Sequence, residues 1–168
     1  FIISQETYEK EFEIMDDIKN DSRLSKLKAL VFLSLKTKGR SVNRYHQLTQ
    51  DQFTTLTNYA LENRVSMGFD SCSAQKFMRA VKTHPDSKKM EQSAEPCEST
   101  LYSLYIDVKG DFYPCSFSPE TEGWETGLSV LKCDNFLEDI WFNERTRKFR
   151  EKVIGCRNCK QSCAIYEI

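Results

Sequence analysis

The apolar positions of the first half alternate between short continuous runs and helical stripes. FIIS (residues 1–4) is a short apolar run, after which Tyr8, Phe12, Met15 and Ile18 recur at helical spacing. KALVFLSL (residues 28–35) is unbroken over the length of a strand and reads as buried on both faces. Thr49 precedes Gln52 as in a capping box, and Phe53, Leu56 and Ala60 give the stripe of a second helix. VSMGF (residues 65–69) is a third strand, and a helix follows from about Ala74 to Val81. Strand and helix in strict alternation predict parallel βα units, whose functional residues gather after the C-terminal ends of the strands. Those ends are Ser4, the KTKGR loop at residues 36–40 and the DSC turn at residues 70–72.

Residues 84–96 are polar, carry two prolines and show no apolar period, which predicts a linker. Beyond it, LYSLYIDVKGDFYPCSF reads as a β-hairpin closing through Lys109, Gly110 and Asp111. Two short helices are expected next, with Asp134 capping NFLEDIW and Asn143 capping ERTRKFREKV. The composition is that of an ordinary globular chain: 168 residues, 39% hydrophobic, 29% charged, net charge -1. Neither a nucleic-acid partner nor a membrane is suggested by that charge balance, no apolar run reaches the roughly 20 residues of a membrane span, and the first residues show no basic region followed by an apolar stretch of the signal-peptide kind. A cytoplasmic setting is the expectation.

Seven cysteines are an odd number for a disulfide framework. Cys156, Cys159 and Cys163 stand at CxxCxxxC spacing in the last 18 residues, Glu151 to Ile168, and a CxxC pair cannot complete a four-ligand site alone. Cys97 lies just before the hairpin and Cys115 at the end of its second strand, so a hairpin can bring the two together. Four thiolates then suffice for a zinc ion or for an iron–sulfur cluster, and softness suits both metals. Spacing leaves open whether Cys159 or Cys163 is the fourth ligand. Cys133 reads as a small buried hydrophobe rather than a ligand, and Cys72, although it follows a strand end, as a buried free thiol. Trp124 and Trp141 read as core, and His84 as exposed.

Cys97, then Gly110-x-x-x-x-Cys115, then Cys156-x-x-Cys159-x-x-x-Cys163 resembles the auxiliary-cluster domain, SPASM or the shortened twitch form, at the C-terminus of radical S-adenosylmethionine enzymes. The helical segment before the last cysteines, with its Leu, Trp and Phe, is similar too. The resemblance extends over the whole chain. It implies an α/β fold in which residues 1–83 are strands 4–6 of a partial βα barrel, residues 84–96 a linker, and residues 97–168 a small α+β domain of a hairpin plus short helices. It also implies a 4Fe–4S cluster on Cys97, Cys115, Cys156 and Cys159 or Cys163, with zinc as the alternative from spacing. At the strand ends it implies contacts of Arg40, His46 and Asp70 with S-adenosylmethionine or substrate, although KTKGRSVNRYH reads equally well as a solvated basic loop.

The chain departs from the family in two respects. Its terminal cysteines are fewer than the full SPASM set, which points to one auxiliary cluster. The CxxxCxxC motif that holds the first 4Fe–4S cluster and S-adenosylmethionine is absent, so the chain alone should be inactive. Together with Phe1 opening in mid-strand, this sets the expectation of a preceding barrel half, on the same polypeptide or on a separate chain. Members of the family commonly modify peptides or proteins, so a peptide or protein is the expected substrate. A zinc-stabilised binding module without enzyme activity is the alternative from another class.

Overall fold

The computed structural model describes residues 1–159 and Ile165, with side chains through Gly155 and at Ile165. The chain divides into two compact units, Phe1–Pro96 and a second that begins at Cys97.

In the first unit, β1 (Ile2–Ile3), β2 (Leu30–Ser34) and β3 (Met67–Phe69) form a parallel sheet in sequential order, joined through α1 (Tyr8–Asn20) and α2 (Gln50–Glu62). The register pairs Ile2 with Leu33 and Val31 with Gly68. α3 (Ala74–Ala80) follows β3. The expected capping box starts α2: Thr49 Oγ1 accepts from the Gln52 amide at 3.1 Å, and Gln52 Oε1 accepts from the Thr49 amide at 3.0 Å. Ile3, Met15, Phe32, Phe53, Leu56, Ala60 and Val81 make one buried core, each large side chain contributing about 1.5–3 kcal/mol. Tyr8 and Phe12, on the stripe seen in the sequence, stack edge-to-face at 5.1 Å, and Phe12 meets Tyr59 at 5.0 Å.

One expectation fails here. β2 is not buried on both faces: Phe32 is 1% exposed, while its neighbours Val31 and Leu33 are 48% and 40% exposed. Ile2, the register partner of Leu33, is also exposed, so one side of the sheet is packed by helices and the other is an open apolar face. The run looked doubly buried because composition records that both faces are apolar, not that both are covered. Residues 84–96 carry a short helix, α4 (Ser87–Gln92), whose Met90 packs with Ala94 against the first core.

The second unit is built on a small antiparallel sheet, β4 (Tyr105–Ile106), β5 (Asp111–Tyr113) and β6 (Leu128–Ser129). The β4–β5 turn needs Gly110, at φ +78°, and is fixed by Asp107 Oδ1, which accepts from the amides of Lys109 (2.8 Å) and Asp111 (2.9 Å). The hairpin is as read, but β6 was not foreseen. A π-helical segment, Phe136–Trp141, and α5 (Glu144–Cys159) complete the unit. Asn135, not Asp134, caps the π segment, its Oδ1 accepting from Leu137 N at 3.0 Å. Phe112, Trp124, Ile140, Phe149 and Val153 form the second core, with Phe112–Trp124 and Trp124–Phe149 edge-to-face contacts at 5.9 and 6.2 Å. Among the described residues no helix is long and apolar enough to cross a membrane.

Candidate functional site

The candidate cysteines lie in the second unit. Tyr105 pairs with Tyr113, where the β4–β5 ladder ends, and Cys115 follows two residues later. Ser103 is bridged to Ser99, and its carbonyl accepts from the Thr100 amide at 2.8 Å. Two residues before Ser99 is Cys97. Cys115 begins a tight turn, its amide donating to Ser118 Oγ at 3.2 Å and its carbonyl accepting from the same hydroxyl at 2.7 Å. Cys97 packs against the second core, and both cysteines are only partly buried.

Between Cys97 and the hairpin the backbone is strained. Thr100, fully buried, sits at φ +61°, a left-handed conformation that costs a β-branched residue about 1–2 kcal/mol. Arg150 of α5 holds it: Nε donates to the Thr100 carbonyl at 2.7 Å, Nη2 donates to the Trp141 carbonyl at 3.0 Å, and the guanidinium lies 4.9 Å from the Trp141 ring centroid. Such a fork ties the Cys97 segment, the π segment and α5 together. Nothing in the basic run ERTRKFREKV marked Arg150 for this role, because its partners are two backbone carbonyls distant in sequence.

The helix α5 extends further than expected, through Cys159, so the CxxC pair is helical rather than beyond a helix. Phe149 and Val153 are buried on the second core. Cys156 stands three positions after Val153 and seven after Phe149, the spacing of one helix stripe, and Cys159 is three further on. Of Cys156 and Cys159 only the backbone is described, and Cys163 lies outside the described residues. Among the described residues no group of three or more His, Cys, Asp or Glu side chains is gathered for a metal ion. Cys133, read as a structural thiol, donates to the Val130 carbonyl at 3.2 Å and packs against the second core.

The strand-end candidates of the first unit fall into different settings. Asp70, after β3, is paired with Lys36, accepts from Ser73 Oγ at 2.5 Å, and accepts from the Ser34 amide at 3.4 Å. Ser73 Oγ in turn shares a hydrogen bond with Ser34 Oγ. Asp70 is thereby engaged by the protein itself and ties the ends of β2 and β3 together. His46 is paired with Glu6: its Nδ1 lies 2.7 Å from Glu6 Oε1 and its amide donates to the same carboxylate at 3.0 Å. These bonds hold the Glu6 carboxyl down to about 2. Arg40 lines an open groove of about 460 Å³ at the ends of β1 and β2. Sequence reading missed Arg44, which lines the same groove, and Glu11 behind it. Fully buried on α1, Glu11 accepts from Thr7 Oγ1 at 2.9 Å, and desolvation raises its carboxyl to about 7.

Residues 97–163 match the family SPASM, an iron–sulfur cluster-binding domain. The matched span opens on Cys97 and closes on Cys163, so it contains every candidate thiolate of the second unit. No curated protein and no solved structure matches the chain. The SPASM match implies iron–sulfur cluster binding by this region. The donor set fits such a group by its chemistry: Cys97 and Cys115 are partly accessible thiols, the CxxC pair is helical, and thiolates are soft ligands.

Proposed function

We propose that the chain is the C-terminal portion of a radical S-adenosylmethionine enzyme that modifies a peptide or protein, with one auxiliary 4Fe–4S cluster in its second unit. The observation that carries this reading is the SPASM match over residues 97–163, which spans the spaced cysteines. Cys97, Cys115, Cys156 and either Cys159 or Cys163 would hold the cluster. Bound there, it supplies an electron-accepting or substrate-binding centre whose potential the hydrogen bonds and burial of its thiolates would tune. The parallel sheet supports assignment of residues 1–83 to part of a βα barrel, with Arg40 at a strand end open to cofactor or substrate. Asp70 would act there as a positioning residue, through Lys36 and the ends of β2 and β3. A barrel half bearing CxxxCxxC, on the same polypeptide or another, would supply S-adenosylmethionine cleavage in the cytoplasm.

Iron and acid-labile sulfide analysis of anaerobically purified chain, with absorption and reduced-state electron paramagnetic resonance spectra, tests the cluster. About four iron and four sulfide per chain is expected for a single 4Fe–4S centre. Stoichiometric zinc without sulfide would instead establish the zinc-stabilised module.

A further inference from the structure

The groove of the first unit holds an excess of positive charge. Arg40 and Arg44 both line it, and neither guanidinium makes an ion pair or hydrogen bond among the described residues. They are brought to one side by a tight loop: Gly39 at φ +59° opens a turn over Gly39–Ser41, and the Arg44 amide donates to the Ser41 carbonyl at 3.1 Å. The acidic groups nearby do not compensate them. Glu6 is taken up by His46, and Asp70 by Lys36. Glu11, hydrogen-bonded to the groove-lining Thr7, is buried with its Oε2 lacking a hydrogen-bond partner and is half-protonated near neutral pH. No Asp or Glu lines the groove.

Its apolar side is equally informative. Ile2 and Leu35 contribute to the lining, and the exposed Tyr45 ring flanks the arginines. Through Ile2, the groove is continuous with the open face of the sheet, where Leu33 and then Val31 follow in register. Charge and shape together select a ligand with a carboxylate at one end and apolar groups extending from it.

We propose that this groove and sheet face form a recognition site for an extended acidic–apolar segment of a peptide substrate, its carboxylate held by Arg40 and Arg44 and its apolar side chains laid along Ile2, Leu33 and Val31. The inference rests on the reading of the substrate as a peptide. Arginine–carboxylate pairs are charge-assisted and frequently bidentate, so they discriminate a carboxylate from its amide.

The test is fluorescence anisotropy on the whole 168-residue chain. The probes are a labelled hexapeptide with two glutamates followed by four apolar residues, and the same peptide with glutamines for glutamates. The glutamate peptide should bind at least about tenfold more tightly, with affinity falling as salt is raised. Arg44→Gln should remove that preference while leaving the far-ultraviolet circular dichroism and melting transition unchanged. Equal binding of the two peptides overturns the proposal, as does a preference that survives in Arg44→Gln with Arg40→Gln. S-adenosylmethionine is the competing carboxylate source. If it binds the chain with Arg44-dependent affinity while the glutamate peptide does not bind, the groove belongs to the cofactor and the proposal is wrong. Iron and sulfide are assayed in the same preparations: peptide preference without a cluster rejects the iron–sulfur reading alone, and a cluster without peptide preference rejects this inference alone.

Discussion

Glu11 shows how one buried side chain sets a pH dependence. Its carboxyl moves from the ordinary 4.5 to about 7 because burial disfavours the charge, partly offset by the Thr7 hydroxyl. Between those values the folded chain keeps a proton that the unfolded chain has released, so stability falls as pH rises through the window, by at most about 3 kcal/mol. Glu11→Gln should flatten this slope. Urea unfolding at about pH 5 and about pH 8 should show a larger loss for the unsubstituted chain than for the variant. Parallel slopes would assign the dependence to other groups. Arg150 is the comparable residue of the second unit. Arg150→Met leaves the Thr100 and Trp141 carbonyls without their donor and should cost about 2–3 kcal/mol by urea unfolding. Arg150→Lys should recover less than half of that, because an ammonium cannot reproduce the fork.

At the scale of elements, what could be read depended on whether the determining contact was local. The α2 cap was legible because Thr49 and Gln52 satisfy each other within one turn. The β4–β5 hairpin was legible because Gly110 marks its turn. β6 was not: Leu128–Ser129 is too short for a period, and the clue was Gly127, where a Cβ would stand 2.9 Å from the Phe112 carbonyl oxygen. The π segment has no period of its own and was read as an ordinary helix one residue out of register at its cap. The two turn glycines separate strain from crowding. Both have positive φ, but a Cβ at Gly39 meets nothing within 4 Å, whereas at Gly110 it would stand 2.7 Å from Leu131 Cγ. Gly39→Ala should therefore cost about 1 kcal/mol and Gly110→Ala more, up to about 3 kcal/mol if Leu131 cannot move aside. Comparison of their unfolding midpoints checks the order. In β2, Phe32→Ala should cost about 3–5 kcal/mol and Leu33→Thr under about 1 kcal/mol, since only Phe32 faces the packed side.

Over the whole molecule, the cysteines of residues 97–163 stand out in the sequence as a spaced set, because ligand chemistry demands residue type and spacing rather than a hydrophobic period. The long-range support beside Cys97 is not legible: the Arg150 fork depends on tertiary pairing with the Thr100 carbonyl. Assembly therefore makes a graded claim about cysteine variants. Cys97→Ala, Cys115→Ala and Cys156→Ala each remove a proposed ligand and should abolish most iron and sulfide. They should also destabilise the second unit, whose three short strands and two helical segments are a small core to stand without a staple. Cys133→Ala removes only a thiol bonded to the Val130 carbonyl and should retain full iron, at a cost of about 1 kcal/mol or less. Cys159→Ala beside Cys163→Ala then identifies the fourth ligand by which of the two empties the site. Metal analysis and thermal melts of the six single variants, prepared anaerobically, decide the matter: uniform iron loss including Cys133→Ala would reduce the effect to misfolding, and full iron in Cys97→Ala or Cys115→Ala would remove the hairpin from the centre altogether.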